Sequence, residues 1–253
     1  MAEANPAAGS AGAPAAGAPA VGAPAAATAT ATATGFAGGP GPSAKLAGRR
    51  LYLCTGDRPD LAPFLTACIR GGVDLVQLRD KRLEARPLLR RAEVAIDVCR
   101  QFGVPFILND RPDLALACGA DGVHVGQDDV PPAIARRILG PDAVIGRSTH
   151  APDELARALA EPIDYLSAGP VTPTPTKPGR PGTGLGYLRQ ACRLARDHPW
   201  FVTGGVTPAT ITTMAAAGAT RFVVVRYLTE AEDPEGNARA LAAAIDATAP
   251  GKQ

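Results

Sequence analysis

Between residues 50 and 226 the chain alternates two patterns. Short runs of Val, Ile, Leu and Phe are followed by stretches whose apolar residues recur every three or four positions. The runs are "RLYLCT" (50–55), "DLVQLR" (74–79), "PFILND" (105–110), "GVHVG" (122–126), "AVIGRST" (143–149), "YLSAG" (165–169), "WFVTGG" (200–205) and "RFVVVR" (221–226). Several are apolar on consecutive residues rather than on alternate ones, which suits strands covered on both faces, as in a parallel sheet. The stretches between them predict helices. "EARPLLRRAEVAIDVCRQFG" (84–103) places Leu88, Leu89, Ala92, Ile96 and Cys99 on one side and stops at Gly103. "TPATITTMAAAG" (207–218) opens on a cap residue, Thr207, followed by Pro208. Three strands follow similar punctuation, a Gly, a small residue and a polar residue: "GGVDLV", "CGADGVHV" and "AGATRFVV". Eight strands alternating with helices predict an α/β fold of one closed (β/α)8 barrel. The rival is a doubly wound open sheet, which is disfavoured because no glycine-rich dinucleotide fingerprint follows the first strand.

Composition separates the first 45 residues from the rest. They are mostly Ala, Pro, Gly and Thr, with one acidic residue, no basic residue before Lys45, and no Leu or Ile before Leu46. Such a segment buries too little apolar surface to offset its ordering entropy, so residues 1–45 are expected to be a disordered extension and 46–250 the barrel. The extension lacks the basic start and continuous apolar core of a secretory signal. A tether and a misassigned start codon both account for it. The net charge of +2 gives no sign of a nucleic-acid or anionic-membrane binder. The five cysteines are scattered without a close pair, as expected of reduced thiols in a cytoplasmic protein rather than of a disulfide framework. A homo-oligomer is compatible with the sequence, which does not specify one.

In such a barrel, function collects at the C-terminal ends of the strands. Strand 2 ends in Gln77, Arg79 and Lys81, strand 3 in Asn109 and Asp110, and strand 4 carries His124 and runs into Gln127, Asp128 and Asp129. Strand 5 ends in Ser148, Thr149 and His150, strand 7 in Gly204 and Gly205, and strand 8 in Val225 and Arg226. Each residue has a plainer role available. Arg79 and Lys81 could be solvated charges, Asp110 and Asp129 could cap the following helices, His124 could be a packed core histidine, and Gly204-Gly205 could be a tight turn. Together they point to chemistry. Two carboxylates near neighbouring strand ends suit a hard divalent cation such as Mg2+. Arg79, Lys81 and Lys177 supply positive charge for a pyrophosphate, and Thr174 and Thr176 offer hydroxyls. Strands 7 and 8 are the usual place for a phosphate monoester, held by backbone N–H groups that glycines let approach. Two anion sites are therefore expected: a metal-assisted pyrophosphate site and a monophosphate site.

The motifs "QLRDK", "ND", "HVGQDD", "GRSTH", "GPVTPTPTK", "TGGV" and "VVVR…EAEDP" stand in the order and spacing of the thiamine phosphate synthase family, which residues 50 to about 245 resemble. The resemblance implies a (β/α)8 barrel that joins hydroxymethylpyrimidine diphosphate to hydroxyethylthiazole phosphate with Mg2+, giving thiamine phosphate and pyrophosphate. It implies Asp110 and Asp129 as Mg2+ ligands, and Gln77, Arg79, Lys81 and Asn109 around the pyrimidine diphosphate. Ser148 and Lys177 match further contacts to that substrate or to the leaving group. Thr174 and Thr176 match thiazole phosphate contacts, and Gly204 or Gly205 with the backbone at Val225 and Arg226 matches the phosphate cradle. The sequence departs from the family where Arg226 and Tyr227 stand in place of the usual Ser and Ala. Two other readings fit a related barrel: a thiazole tautomerase, which releases no pyrophosphate, and a non-catalytic phosphate-ligand sensor. The proline-rich stretch 169–184, with glycines at 179, 182 and 184, is expected to be a lid-like loop after strand 6.

Overall fold

The computed structural model describes residues 42–174, 181–196 and 198–249. Eight parallel strands close into a barrel in sequence order: β1 (Leu51–Thr55), β2 (Leu75–Leu78), β3 (Phe106–Asn109), β4 (Gly122–Val125), β5 (Val144–Thr149), β6 (Tyr165–Ala168), β7 (Trp200–Val202) and β8 (Phe222–Val224). The pairing of β1 with β8 completes the circle, Tyr52 lying opposite Val223. The closed barrel is the fold predicted from the pattern, and the open-sheet rival is excluded.

Ten helices are described: α1 (Pro42–Leu46), α2 (Leu61–Arg70), α3 (Ala85–Gln101), α4 (Pro112–Cys118), α5 (Pro132–Leu139), α6 (Pro152–Ala158), α7 (Gly184–Leu194), α8 (Pro208–Ala216), α9 (Arg226–Thr229) and α10 (Pro234–Ala247). α1 begins four residues before the boundary at residue 46 read from composition, and its Leu46 is buried. No described helix is long and apolar enough to cross a membrane.

Strand alternation explains the two cores. Leu53, Val76, Leu108, Val123, Ile145, Leu166 and Val202 face outward and pack with the helices. Tyr52, Leu75, Ile107, Val144, Tyr165, Phe201 and Val223 face inward and fill the barrel, with Leu46 of α1 among them. Tyr52, Tyr165 and Phe201 pack edge to face in a triangle, with ring centroids 5.3 to 5.9 Å apart. Such pairs add about 0.5–1.5 kcal/mol each beyond area burial.

The last two strands are shorter than the apolar runs suggest. β7 stops at Val202 because Gly204 and Gly205 have φ of 94° and 74°, outside any strand conformation. β8 stops at Val224 because Val225 (φ −124°, ψ −92°) turns the chain into α9.

The repeated punctuation before the strands also acquires a purpose. Asp74, just before β2, accepts from Arg50 N (2.7 Å) and Leu51 N (2.9 Å) at the start of β1. Asp121, before β4, accepts from Phe106 N of β3 at 2.9 Å. Asp164, before β6, accepts from Ile145 N of β5 at 2.7 Å. Each carboxylate ties the open N-terminal end of the preceding strand. Before β8 the corresponding residue is Arg221, whose Nε donates to Arg49 O at 3.2 Å. The Asp164 clamp is doubled by Arg136 Nη2 at 2.7 Å. Asp164→Ala leaves a strand N–H and a largely buried guanidinium without that acceptor. The expected cost is about 2–3 kcal/mol, or roughly 5–10 °C in melting temperature. Calorimetry checks the shift, and turnover per folded molecule should not change, because this is the stability face of the barrel.

Candidate active site

The C-terminal ends of the strands surround a cavity of about 550 Å3. Gln77, Asn109, His124 and Ser148 project into it from β2, β3, β4 and β5 and are nearly buried. Arg79 and Lys81 follow β2, two and four residues beyond Gln77, and both line the cavity. Asp110, Asp129, Thr174, Gly204, Gly205, Val225 and Arg226 complete the set of sequence-predicted residues that meet there. Thr176 and Lys177 lie outside the described residues.

Lys81, Asp110 and Asp129 converge from three loops. Lys81 Nζ is 2.7 Å from Asp110 Oδ2 and 4.0 Å from Asp129 Oδ1. Asp110 and Asp129 lie close enough to shift one another's ionisation. Burial, and then the neighbouring Asp129, raise the Asp110 carboxyl above its ordinary range. Burial works the same way on Asp129, but the neighbouring Asp110 and the bond from Gly126 N–H (2.8 Å) outweigh it and hold Asp129 low.

Neither carboxylate caps a helix. The residue preceding α4 is Arg111 and that preceding α5 is Pro131, and neither helix start receives a side-chain cap bond. The alternative of plain capping is thereby corrected. Asp110 instead has φ +63°, the one described non-glycine residue at positive φ. Its N–H donates to His124 O (2.8 Å), while Arg111 N–H reaches back to Asn109 O (2.8 Å). That i to i+2 bond around a positive φ belongs to the strained type of γ-turn. Strain at a cavity-lining residue marks a conformation that the surroundings impose.

The opposite rim is built of backbone. A Cβ on Gly204 would overlap Pro170, and one on Gly205 would overlap the Thr172 hydroxyl. Only glycines let the β7 end pass beneath the loop after β6. α8 then starts behind Thr207, whose N–H donates to Thr210 Oγ1 at 2.9 Å. The β6 loop has a stitched base: Val171 N–H bonds Thr203 O (2.8 Å), Thr183 N–H bonds Pro170 O (2.8 Å), and Gly184 N–H bonds Val171 O (3.1 Å). Pro170 and Val171 are thus joined to Thr183 and Gly184 beside the cavity, with Thr174 on its wall. The lid role read for this stretch falls in part on residues 175–180, which lie outside those described.

Sequence reasoning passed over Tyr52, Ser167 and Thr203, which also line the cavity. Tyr52 had a signal: it lies two residues from Cys54, which pairs with Gln77, and therefore on the same inward face.

Among the described residues no group of three or more His, Cys, Asp or Glu side chains is placed to hold a metal ion. Asp110 and Asp129 do fit a cation that takes only one or two protein carboxylates and fills its remaining positions with phosphate oxygens and water. Asp129 raises the Asp110 carboxyl by repulsion, and a divalent cation between the two would relieve that repulsion.

Comparison with known proteins gives the family. Residues 51–228 match the family model described as thiamine monophosphate synthase. The chain is 48% identical over 212 residues to a thiamine-phosphate synthase of Mycobacterium sp. (strain KMS), covering 79% of this chain and 94% of that one. It is 50% identical over 197 residues to the thiamine-phosphate synthase of Thermus thermophilus, covering 76% and 95%. Its fold is similar to thiamine phosphate pyrophosphorylase from Pyrococcus furiosus, with TM-score 0.72 and 27% identity over 79% of this chain and 96% of that one.

Proposed function

This chain belongs to the thiamine monophosphate synthase family, and from that premise we propose that it joins 4-amino-2-methyl-5-hydroxymethylpyrimidine diphosphate to hydroxyethylthiazole phosphate. The products are thiamine phosphate and pyrophosphate. The observation that carries the reading is the meeting of Lys81 with Asp110 and Asp129 on one wall of a single cavity, opposite the Gly204–Gly205 backbone on the other. One wall suits a diphosphate with its cation and the other a monophosphate, so two substrates can face each other between them.

Gln77, Asn109 and Ser148 hold the pyrimidine, and Arg79 and Lys81 hold its diphosphate, joined by Lys177. Among the described residues Arg79 has no acidic partner, which leaves its guanidinium for an anion. Asp110 and Asp129 would hold Mg2+, which when bound neutralises charge on the departing pyrophosphate. Thr174, Thr176, Gly204 or Gly205, and the backbone at Val225 and Arg226 hold the thiazole phosphate. The side chain of Arg226 is exposed beside the cavity and adds charge there.

The bond between the exocyclic CH2 and the diphosphate oxygen breaks, and its electron pair leaves with the pyrophosphate. The ring amino group delocalises the positive charge that develops on the carbon. The thiazole nitrogen lone pair then forms the new C–N bond. The chain needs no covalent nucleophile. It supplies positioning and preorganised positive charge, the usual sources of large rate enhancement.

The test is product formation with both substrates and Mg2+, followed chromatographically. Thiamine phosphate should accumulate, stop on addition of a chelator and resume on adding Mg2+. Product formation unaffected by chelation would remove Asp110 and Asp129 from the metal role. A further expectation concerns Lys177→Ala, which should lower turnover at least about 100-fold with the melting temperature unchanged. A lowered melting temperature with normal turnover would reduce Lys177 to a structural residue.

A further inference from the structure

A continuous run of hydrogen bonds crosses the barrel beneath the cavity, and the chemistry above makes no use of its middle. Gln77 Nε2 is 2.6 Å from Tyr52 Oη. The Tyr52 and Tyr165 hydroxyls are 2.8 Å apart. Tyr165 Oη is 2.9 Å from His124 Nδ1, and His124 Nε2 is 2.8 Å from Ser148 Oγ. Five strands, β1, β2, β4, β5 and β6, each contribute one member. Tyr165 is fully buried and, unlike the two ends, is not part of the cavity wall.

Each link holds one hydrogen, so the direction of one link sets the direction of all. The Gln77 end decides it. Its carboxamide faces the Tyr52 hydroxyl on one side and, at 3.2 Å, the Cys54 thiol on the other. A thiol is a weak donor and a weaker acceptor, whereas a phenol accepts well. The carbonyl oxygen therefore faces Cys54 and the NH2 faces Tyr52. Tyr52 accepts from Gln77 and donates to Tyr165, and Tyr165 donates to His124 Nδ1. With its lone pair engaged at Nδ1, His124 carries its hydrogen on Nε2 and donates to Ser148 Oγ. The Ser148 hydroxyl hydrogen is then left for an acceptor in the cavity, as is the second amide hydrogen of Gln77. Burial raises both tyrosine hydroxyls well above their ordinary range, so neither loses the proton that the chain needs.

We infer that Tyr52, Tyr165 and His124 are positioning residues that fix the polarity of this chain, so that Gln77 and Ser148 both present hydrogens to the cavity and select a flat heteroaromatic ring by its unprotonated ring nitrogens. The inference rests on the reading of Gln77 and Ser148 as pyrimidine contacts. A ring presenting N–H at those positions meets two donors and is rejected, since a buried donor facing a donor loses its bond entirely.

The polarity is testable without any substrate, separately from the proposed activity. In the unliganded wild-type chain with 15N-labelled histidine, the signal absent from His124→Gln belongs to His124. It should show a protonated Nε2 and an unprotonated Nδ1. The opposite tautomer overturns the inference. A second measurement reads the consequence. Tyr165→Phe removes one buried oxygen and should raise the KM for the aminopyrimidine diphosphate roughly tenfold, the effect of one lost hydrogen bond. The KM for the thiazole phosphate should stay unchanged. An unchanged pyrimidine KM, or an equal rise for both substrates, also overturns it.

Discussion

Asp110→Gly is expected to lower turnover roughly 1,000-fold while leaving the melting temperature unchanged or slightly raised. The two effects come from different parts of the same residue. Its carboxylate sits beside Lys81 and Asp129 at the proposed leaving-group site, and loss of several kcal/mol of charge stabilisation there corresponds to that rate. Its backbone is held at φ +63° in a strained turn, where glycine costs nothing sterically. Removing the side chain also removes an acidic group pressed against Asp129. The lost Lys81 contact is half exposed and contributes little to stability. Strain relief of about 1 kcal/mol is offset in part by the greater freedom of glycine in the unfolded chain. Steady-state kinetics and calorimetry on the same preparation check both halves. A large fall in melting temperature would make Asp110 a structural residue.

Gly146→Ala is expected to lower stability through a collision inside the barrel. Gly146 is an inward position in the middle of β5, paired with Tyr165, and a Cβ there would overlap the Tyr165 ring and its hydroxyl. Tyr165 has nowhere to retreat, because it is fully buried and packed edge to face with Tyr52 and Phe201. Overpacking of this kind costs about 2–3 kcal/mol, or roughly 5–10 °C here. Any shift of the ring also moves its hydroxyl from His124 Nδ1, so pyrimidine affinity should fall along with stability. Gly140→Ala makes a useful contrast. Unlike Gly146 it sits at positive φ (82°), and no neighbouring atom lies within reach of an added Cβ, so its cost is conformational alone. Denaturant titration of both variants separates collision from backbone strain.

Much of this was legible in the chain because the barrel depends on local patterns. Consecutive apolar residues marked strands covered on both faces, and polar residues two apart, such as Gln77 and Arg79, marked their functional ends. The punctuation before the strands was visible too, but its purpose was not. Asp74 ties the start of β1, which lies more than 20 residues earlier, and only the closed register brings the two together. Asp110 and Asp129 were ambiguous between helix capping and ligand binding because both roles place an acid just before a helix. The γ-turn that sets Asp110 apart depends on dihedral angles that composition does not encode. His124 read as a packed core histidine. Its position in a chain from Gln77 to Ser148 depends on Tyr165, 41 residues later, and on Tyr52, which bonds Tyr165 across 113 residues. The ends of β7 and β8 were overextended because Val225 and the residues before Gly204 are as apolar or β-prone as the strands they follow. The turns there come from backbone angles beside the cavity.

The central claim is that one cavity breaks a carbon–oxygen bond to pyrophosphate while a thiazole nitrogen forms the new bond. The most direct measurement is pyrophosphate release with Mg2+ and both substrates, alongside each substrate alone. One pyrophosphate per thiamine phosphate formed, dependent on the thiazole phosphate, is the expected result. Thiazole phosphate altered without pyrophosphate release, or no release from the two together, would contradict it.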